Sequence, residues 1–131
     1  MHEPMTILSW NIRRKADESQ LKQMGESFAK RASVVFLQEA FGVPEGDLGP
    51  FLVFKSSDGD LAILIHRRLG GLVGALYSNK FFLALRVGEI LLANVHFPYL
   101  GRKSSFEDLR NSIHNLSELV LCLKGGCAVD H

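Results

Sequence analysis

The apolar positions of this chain fall into short runs with two different periods. Ile7-Leu8-Ser9-Trp10-Asn11-Ile12 is a mostly apolar run closed by Arg13-Arg14-Lys15, the pattern of a buried strand followed by a loop. From Asp17 to Ala32 the apolar residues Leu21, Met24, Phe28 and Ala32 recur at steps of three and four, with Asp17 and Glu18 near the start and Lys30 and Arg31 near the end. That spacing predicts an amphipathic helix. Val34-Val35-Phe36-Leu37 is an apolar, β-rich run that stops at Gln38-Glu39, and Gly42, Pro44, Gly46, Gly49 and Pro50 then punctuate a loop. Strand, helix and strand joined by short links form a parallel crossover. Asn11 near the end of the first strand and Glu39 just past the second should therefore emerge at one edge of the sheet, where open α/β sheets place their ligands.

Phe51–Phe54, Leu61–Ile65, Val73–Tyr77, Phe81–Val87 and Ile90–Phe97 read as further strands, the last two links (Ser78-Asn79-Lys80 and Gly88-Glu89) being short enough for hairpins. Ser104-Ser105-Phe106-Glu107 fits a capping box, and apolar residues from Phe106 to Leu123 follow at helical spacing before Gly125-Gly126. The fold class is α/β, a mixed sheet with two helices on one face, without repeats or linkers. Leu61, Ile63 and Ile65 share a face, as do Leu91, Ala93 and Val95, while Ala62, Leu64 and Leu92 make the opposite faces apolar too.

Composition narrows this picture. With 131 residues, 47% of them hydrophobic, the chain can bury a real core. Its 15 Lys+Arg against 14 Asp+Glu leave a net charge of +1, which excludes a basic nucleic-acid coat or an acidic tail and leaves only local clusters to attract a polyanion. Cys122 and Cys127 alone do not make a disulfide framework. No signal peptide is apparent and no apolar run reaches the ~18 residues of a membrane span. A soluble intracellular protein of cytoplasm or nucleus is expected.

Three residues are placed to do chemistry. Glu39 puts a carboxylate at the end of an apolar strand, where it is costly unless it is solvated, paired or holding a cation. Alternation in Ile90–Pro98 sets Asn94 and His96 together, opposite Leu91, Ala93, Val95 and Phe97. Asn11 ends the first strand, where an Asn also commonly just begins a turn. Basic pairs follow three strand-like runs: Arg13-Arg14, Arg67-Arg68 and Arg102-Lys103. Converging on one rim, they would draw in a phosphodiester, although for Arg67-Arg68 ordinary solvated loop charges are the preferred reading.

Four of these segments, Ile7–Arg13, Val35-Phe36-Leu37-Gln38-Glu39, Leu61–Ile65 and Asn94-Val95-His96-Phe97-Pro98, resemble in order and spacing the successive N-terminal motifs of the endonuclease/exonuclease/phosphatase superfamily, the group that includes deoxyribonuclease I. The resemblance implies half of a four-layer α/β sandwich, with two sheets face to face and helices outside. It assigns Glu39 to a divalent metal, usually Mg²⁺ (Mn²⁺ as an alternative), Asn11 to organising that site, and His96 to contact with the scissile phosphate. Asn94, Arg13, Arg14 and Arg102 would then bind substrate.

The family continues past such a helix into a Gly-Asp-x-Asn motif, which the segment Lys124–His131 does not match. Asp130-His131 resembles the family's terminal Asp-His pair but lacks the strands that would carry it back to Glu39, and is read as coincidence. The expectation is one partial domain over residues 1–131, a fragment, truncated product or degenerate copy of a metal-dependent phosphodiesterase, endonuclease-like on nucleic acid. A catalytically inactive remnant or interaction module, and a phospholipid-directed phosphodiesterase, are the alternatives. Lacking the second half of the family sandwich, the chain should expose the apolar sheet face away from its helices and self-associate through it.

Overall fold

The computed structural model describes residues 5–12, 18–79, 82–95 and Arg110. His96, Arg13, Arg14, Arg102 and the helix expected over 104–123 lie outside the described residues.

Strand β1 (Ile7–Asn11), helix α1 (Glu18–Ala29) and strand β2 (Val34–Gln38) form the expected crossover unit. β1 and β2 pair in parallel, from Ile7 opposite Val34 to Asn11 opposite Gln38. The helix closes three residues earlier than its apolar period suggests. Arg31 N–H and Ala32 N–H both donate to the Phe28 carbonyl (2.8 Å each), so Ala32 belongs to the turn that leads into β2 and is buried there.

Five further strands precede the last described hairpin strand: β3 (Gly46–Leu48), β4 (Phe51–Lys55), β5 (Ala62–His66), β6 (Val73–Ser78) and β7 (Phe82–Val87), followed by β8 (Ile90–Val95). β3 falls in a stretch whose Gly and Pro residues read as loop. It is only three residues long, opens on Gly46 (φ 111°) and gives way to a turn at Gly49 (φ 57°), and its place is set by pairing with β4 and by packing under α1. Gly25 of α1 faces Leu48 there, and a Cβ on it would meet the Leu48 carbonyl oxygen at ordinary contact distance, 3.5 Å.

The class is α/β with a mixed sheet, as the pattern implies, but the strands divide between two sheets. One has the order β1-β2-β5-β4-β3 and the other is the antiparallel meander β6-β7-β8. The reason lies in β5. It is hydrogen-bonded to β2 on one side and β4 on the other, so the chain leaving it finds no free edge beside it. A short 3₁₀ helix at Arg67–Leu72 carries it into the second layer instead.

Alternation then builds two cores. Val35, Leu37, Ala62 and Leu64 face Leu21 of α1, with Met24 and Phe28 packed alongside. Trp10 meets Phe28 edge-on, ring centroids 5.8 Å apart. Val34, Ile63 and Ile65 point the other way, into a cluster with Leu83, Leu85, Val87 and Leu92 of the second sheet. The open apolar face expected from the sequence is thus corrected: Ile63 and Ile65 are fully buried beneath β7 and β8. The chain covers this face with its own second sheet.

Candidate active site

Parallel pairing of β1 and β2 brings Asn11 and Glu39 to the same edge of the larger sheet, and the Ile12 N–H donates to the Gln38 carbonyl (3.1 Å), carrying the pairing to the strand ends. Asn94 near the end of β8 arrives at this edge from the other sheet. Its amide nitrogen donates to the main-chain carbonyls of Leu37 and Ala62, each at 2.9 Å. Arg67 and Arg68 follow β5, which runs antiparallel to β2, and so lie at the far edge. There Arg67 pairs with Asp47 and also donates to the Gly49 carbonyl (3.0 Å), as the solvated-charge reading expects.

Glu39 sits on a bulge. Between the Leu37–Ala62 pair and the hydrogen bond from Ala40 N–H to the Asp60 carbonyl (2.8 Å), the chain advances three residues on the β2 side and two on the other. The extra residue is accommodated by Glu39 in the left-handed region, φ 53°, where it is the only described non-glycine residue with positive φ. Such a conformation costs an L-residue about 1–2 kcal/mol, and bulges of this kind re-aim a side chain beside functional sites. The Glu39 carboxylate is half-buried and makes no hydrogen bond or ion pair to a described residue. Glu39→Gly is accordingly expected to be more stable than Glu39→Ala by about 1 kcal/mol, the reverse of the usual order, because only glycine adopts φ 53° without penalty. Urea denaturation of the two variants measures this.

The loop beyond the bulge is held by Lys55 at the end of β4. Its Nζ donates to the carbonyls of Ala40 (2.8 Å), Phe41 (3.4 Å) and Val43 (2.8 Å). Burial pushes the pKa of this ammonium below its ordinary value, against the opposing pull of the negative charges on Glu45 and Asp58. The neighbouring turn is fixed by Ser56, whose Oγ donates to Asp58 (2.8 Å) and accepts from the Leu61 N–H (3.0 Å).

Behind the edge runs a polar chain that crosses the sandwich. The Gln38 amide donates to Ser9 Oγ (3.1 Å) and to Asn94 Oδ1 (2.9 Å). Asn94 is 1% exposed, and no buried side-chain nitrogen or oxygen among the described residues lacks a partner. The sequence reading assigns Asn94 to substrate binding. Its amide hydrogens go to two main-chain carbonyls, making it a clasp between the sheets at the edge that carries Glu39.

Lys55, Ser9 and the Gln38 side chain are not distinguished by the sequence pattern. Lys55 closes an apolar strand and Ser9 interrupts one, which is how solvated strand residues also look. No local signal marks either.

No protein-family model and no curated protein matches the chain. Among solved structures, the chain is similar to the endonuclease domain of TRAS1, a telomere-specific non-LTR retrotransposon, with a TM-score of 0.52 and 17% identity over 85% of this chain. The likeness is one of fold. It agrees at that level with the superfamily resemblance drawn from the motifs, and the chain spans about half (54%) of that domain.

The donors at this edge can be weighed against a metal. Among the described residues no three His, Cys, Asp or Glu side chains cluster as a full ligand set. One carboxylate and an amide do not suit a transition ion caged by protein. They do fit Mg²⁺, which prefers oxygen, keeps several waters and often takes only one or two carboxylates.

Proposed function

We propose that this chain carries the Glu39 half of a metal-dependent phosphodiesterase site, endonuclease-like and directed at nucleic acid. The observation that carries the reading is the Glu39 carboxylate itself: unengaged by described residues, half-buried, and held on a disfavoured backbone at the edge where β1, β2 and β8 end. Its support is a fold shared with an endonuclease domain. Among the described residues no helix is long and apolar enough to cross a membrane.

In this reading Glu39 holds Mg²⁺ and Asn11 orients the ligand shell without adding charge. When bound, the ion neutralises charge developing on the phosphorus and leaving oxygen. His96, two residues past the Asn94 clasp, donates to a phosphate oxygen, while Arg13, Arg14 and Arg102 attract the polyanion.

A titration of Mg²⁺ should give a dissociation constant on the order of millimolar, and Glu39→Gln should abolish binding. Tight binding that survives Glu39→Gln would move the metal elsewhere. Plasmid cleavage by the 131-residue chain should be extremely slow or absent. Groups that position water and stabilise transition-state charge are each worth orders of magnitude in rate, and the chain has no Gly-Asp-x-Asn motif to supply them. Robust Mg²⁺-dependent cleavage, abolished by His96→Ala, would show a complete site. A second reading is a non-catalytic binding module that keeps the fold, since the likeness to the endonuclease domain is one of fold. Nucleic-acid binding unaffected by Mg²⁺ and by Glu39→Gln would favour it.

A further inference from the structure

We propose that Lys55 is the positioning residue for Glu39: its ammonium locks the segment after the bulge and thereby fixes how the carboxylate is presented to a divalent cation. The inference rests on the reading of Glu39 as a metal-holding residue and deepens it.

A glutamate at φ 53° is not in a conformation it would keep unaided, so the segments on either side must hold it. On the near side, β2 is secured by its parallel and antiparallel ladders up to Leu37 and Gln38. Across the bulge, a single main-chain hydrogen bond ties Ala40 to Asp60. On the far side, the Val43 N–H donates to the Ala40 carbonyl (3.0 Å) in a turn that lies outside the strands.

Lys55 clamps this turn from the neighbouring strand. An ammonium has three donor hydrogens, and here three carbonyls of this one segment converge on it, two at 2.8 Å. Charge-assisted bonds of this type are about twice as strong as neutral ones. The anchor is itself rigid. Lys55 is paired with Ala62 on β5, and Ala62 is paired with Leu37 on β2, so the clamp reaches back across two strands to the segment that Glu39 introduces.

The arrangement parallels the partners that orient a metal ligand without touching the metal, whose loss typically weakens metal binding 10–100-fold. Arginine is a poor substitute, because its planar fork cannot meet three carbonyls placed around a point charge.

The test is a Mg²⁺ titration of the full chain and its variants, followed by calorimetry and checked by Mn²⁺ relaxation of water, alongside amide hydrogen exchange of residues 39–43. Lys55→Met is expected to weaken Mg²⁺ binding on the order of tenfold and to speed exchange in that segment at a temperature where the protein is folded. Lys55→Arg should fall between wild type and Lys55→Met in both. A purely structural lysine would lower the melting temperature yet leave the affinity of the folded protein unchanged, and that result overturns the inference. Should Lys55→Met not fold, Lys55→Arg carries the test alone: faster exchange with unchanged affinity overturns it equally. Glu39→Gln separates the two levels. If it leaves Mg²⁺ binding intact, the metal reading itself fails, whereas loss of binding in Glu39→Gln with none in the Lys55 variants removes only the positioning role.

Discussion

Leu85→Ala should lower the free energy of unfolding by about 3 kcal/mol, within the 2–5 kcal/mol range of such truncations in packed cores. Leu85 is fully buried on the inner face of β7, in the cluster that joins Val34, Ile63 and Ile65 of one sheet to Leu83, Val87 and Leu92 of the other. The cost is that of the lost transfer free energy plus a cavity that two sheets, each braced by its own ladder, cannot readily close. The size of the effect distinguishes two architectures. Were β6–β8 a lateral continuation of one sheet, Leu85 would lie on an open face, and its truncation would cost well under about 1 kcal/mol. Ile90, half-exposed at the start of β8, is the internal control, and Ile90→Ala should have little effect. Chemical denaturation of both variants, read by circular dichroism and fluorescence together, makes the comparison.

A similar loss is expected from Asn94→Leu, which keeps the side chain's bulk and removes its hydrogen bonds. Two main-chain carbonyls, of Leu37 and Ala62, lose a donor, and the Gln38 amide loses one of its two acceptors. A buried group left unsatisfied costs about 1–3 kcal/mol, so a total of about 3 kcal/mol follows even if water or rearrangement recovers part of it. Asn94→Asp should be worse than isosteric change suggests, because a buried carboxylate would face two carbonyl oxygens with no hydrogen to offer. If Asn94→Leu instead unfolds at the wild-type midpoint, the clasp is not a stabilising feature and Asn94 is free for the substrate role the motif suggests. Gln38→Ala leaves Asn94 its two main-chain bonds and should cost only about 1 kcal/mol.

These two residues also mark how far the chain could be read without its fold. Residues 90–95 alternate so strictly that Asn94 was assigned to the face opposite Leu91, Ala93 and Val95, and it lies on that face, turned inward. What alternation cannot say is what a face looks at. The same pattern serves a polar strand end in solvent and a polar side chain pressed between sheets, and only the second makes Asn94 a clasp. Leu85 shows the same gap on the apolar side. Its place in an apolar strand is legible, but its partners Ile63 and Ile65 lie about twenty residues earlier in sequence and in another sheet.

For Glu39 the sequence supplied more. An apolar run ending abruptly in a carboxylate, one crossover after Asn11, is local information, and parallel pairing converts it into shared position at an edge. The left-handed backbone at Glu39 and the lysine that secures its loop were not legible, because the bulge arises from a mismatch in count between β2 and β5, and Lys55 reaches residues 40–43 only after β4 has taken its place beside β5.

Local periodicity therefore determined β1, α1, β2 and β4–β8 but not β3, and with them the edge at which Asn11 and Glu39 meet, since each of these depends on neighbours a few residues apart and on the fixed geometry of strand and helix. Tertiary structure alone decided the division into two sheets, the inward clasp of Asn94 and the clamp of Lys55. Each depends on which strand takes the free edge beside another, and once β2 and β4 flank β5, the chain beyond it has to fold over the sheet it has just completed.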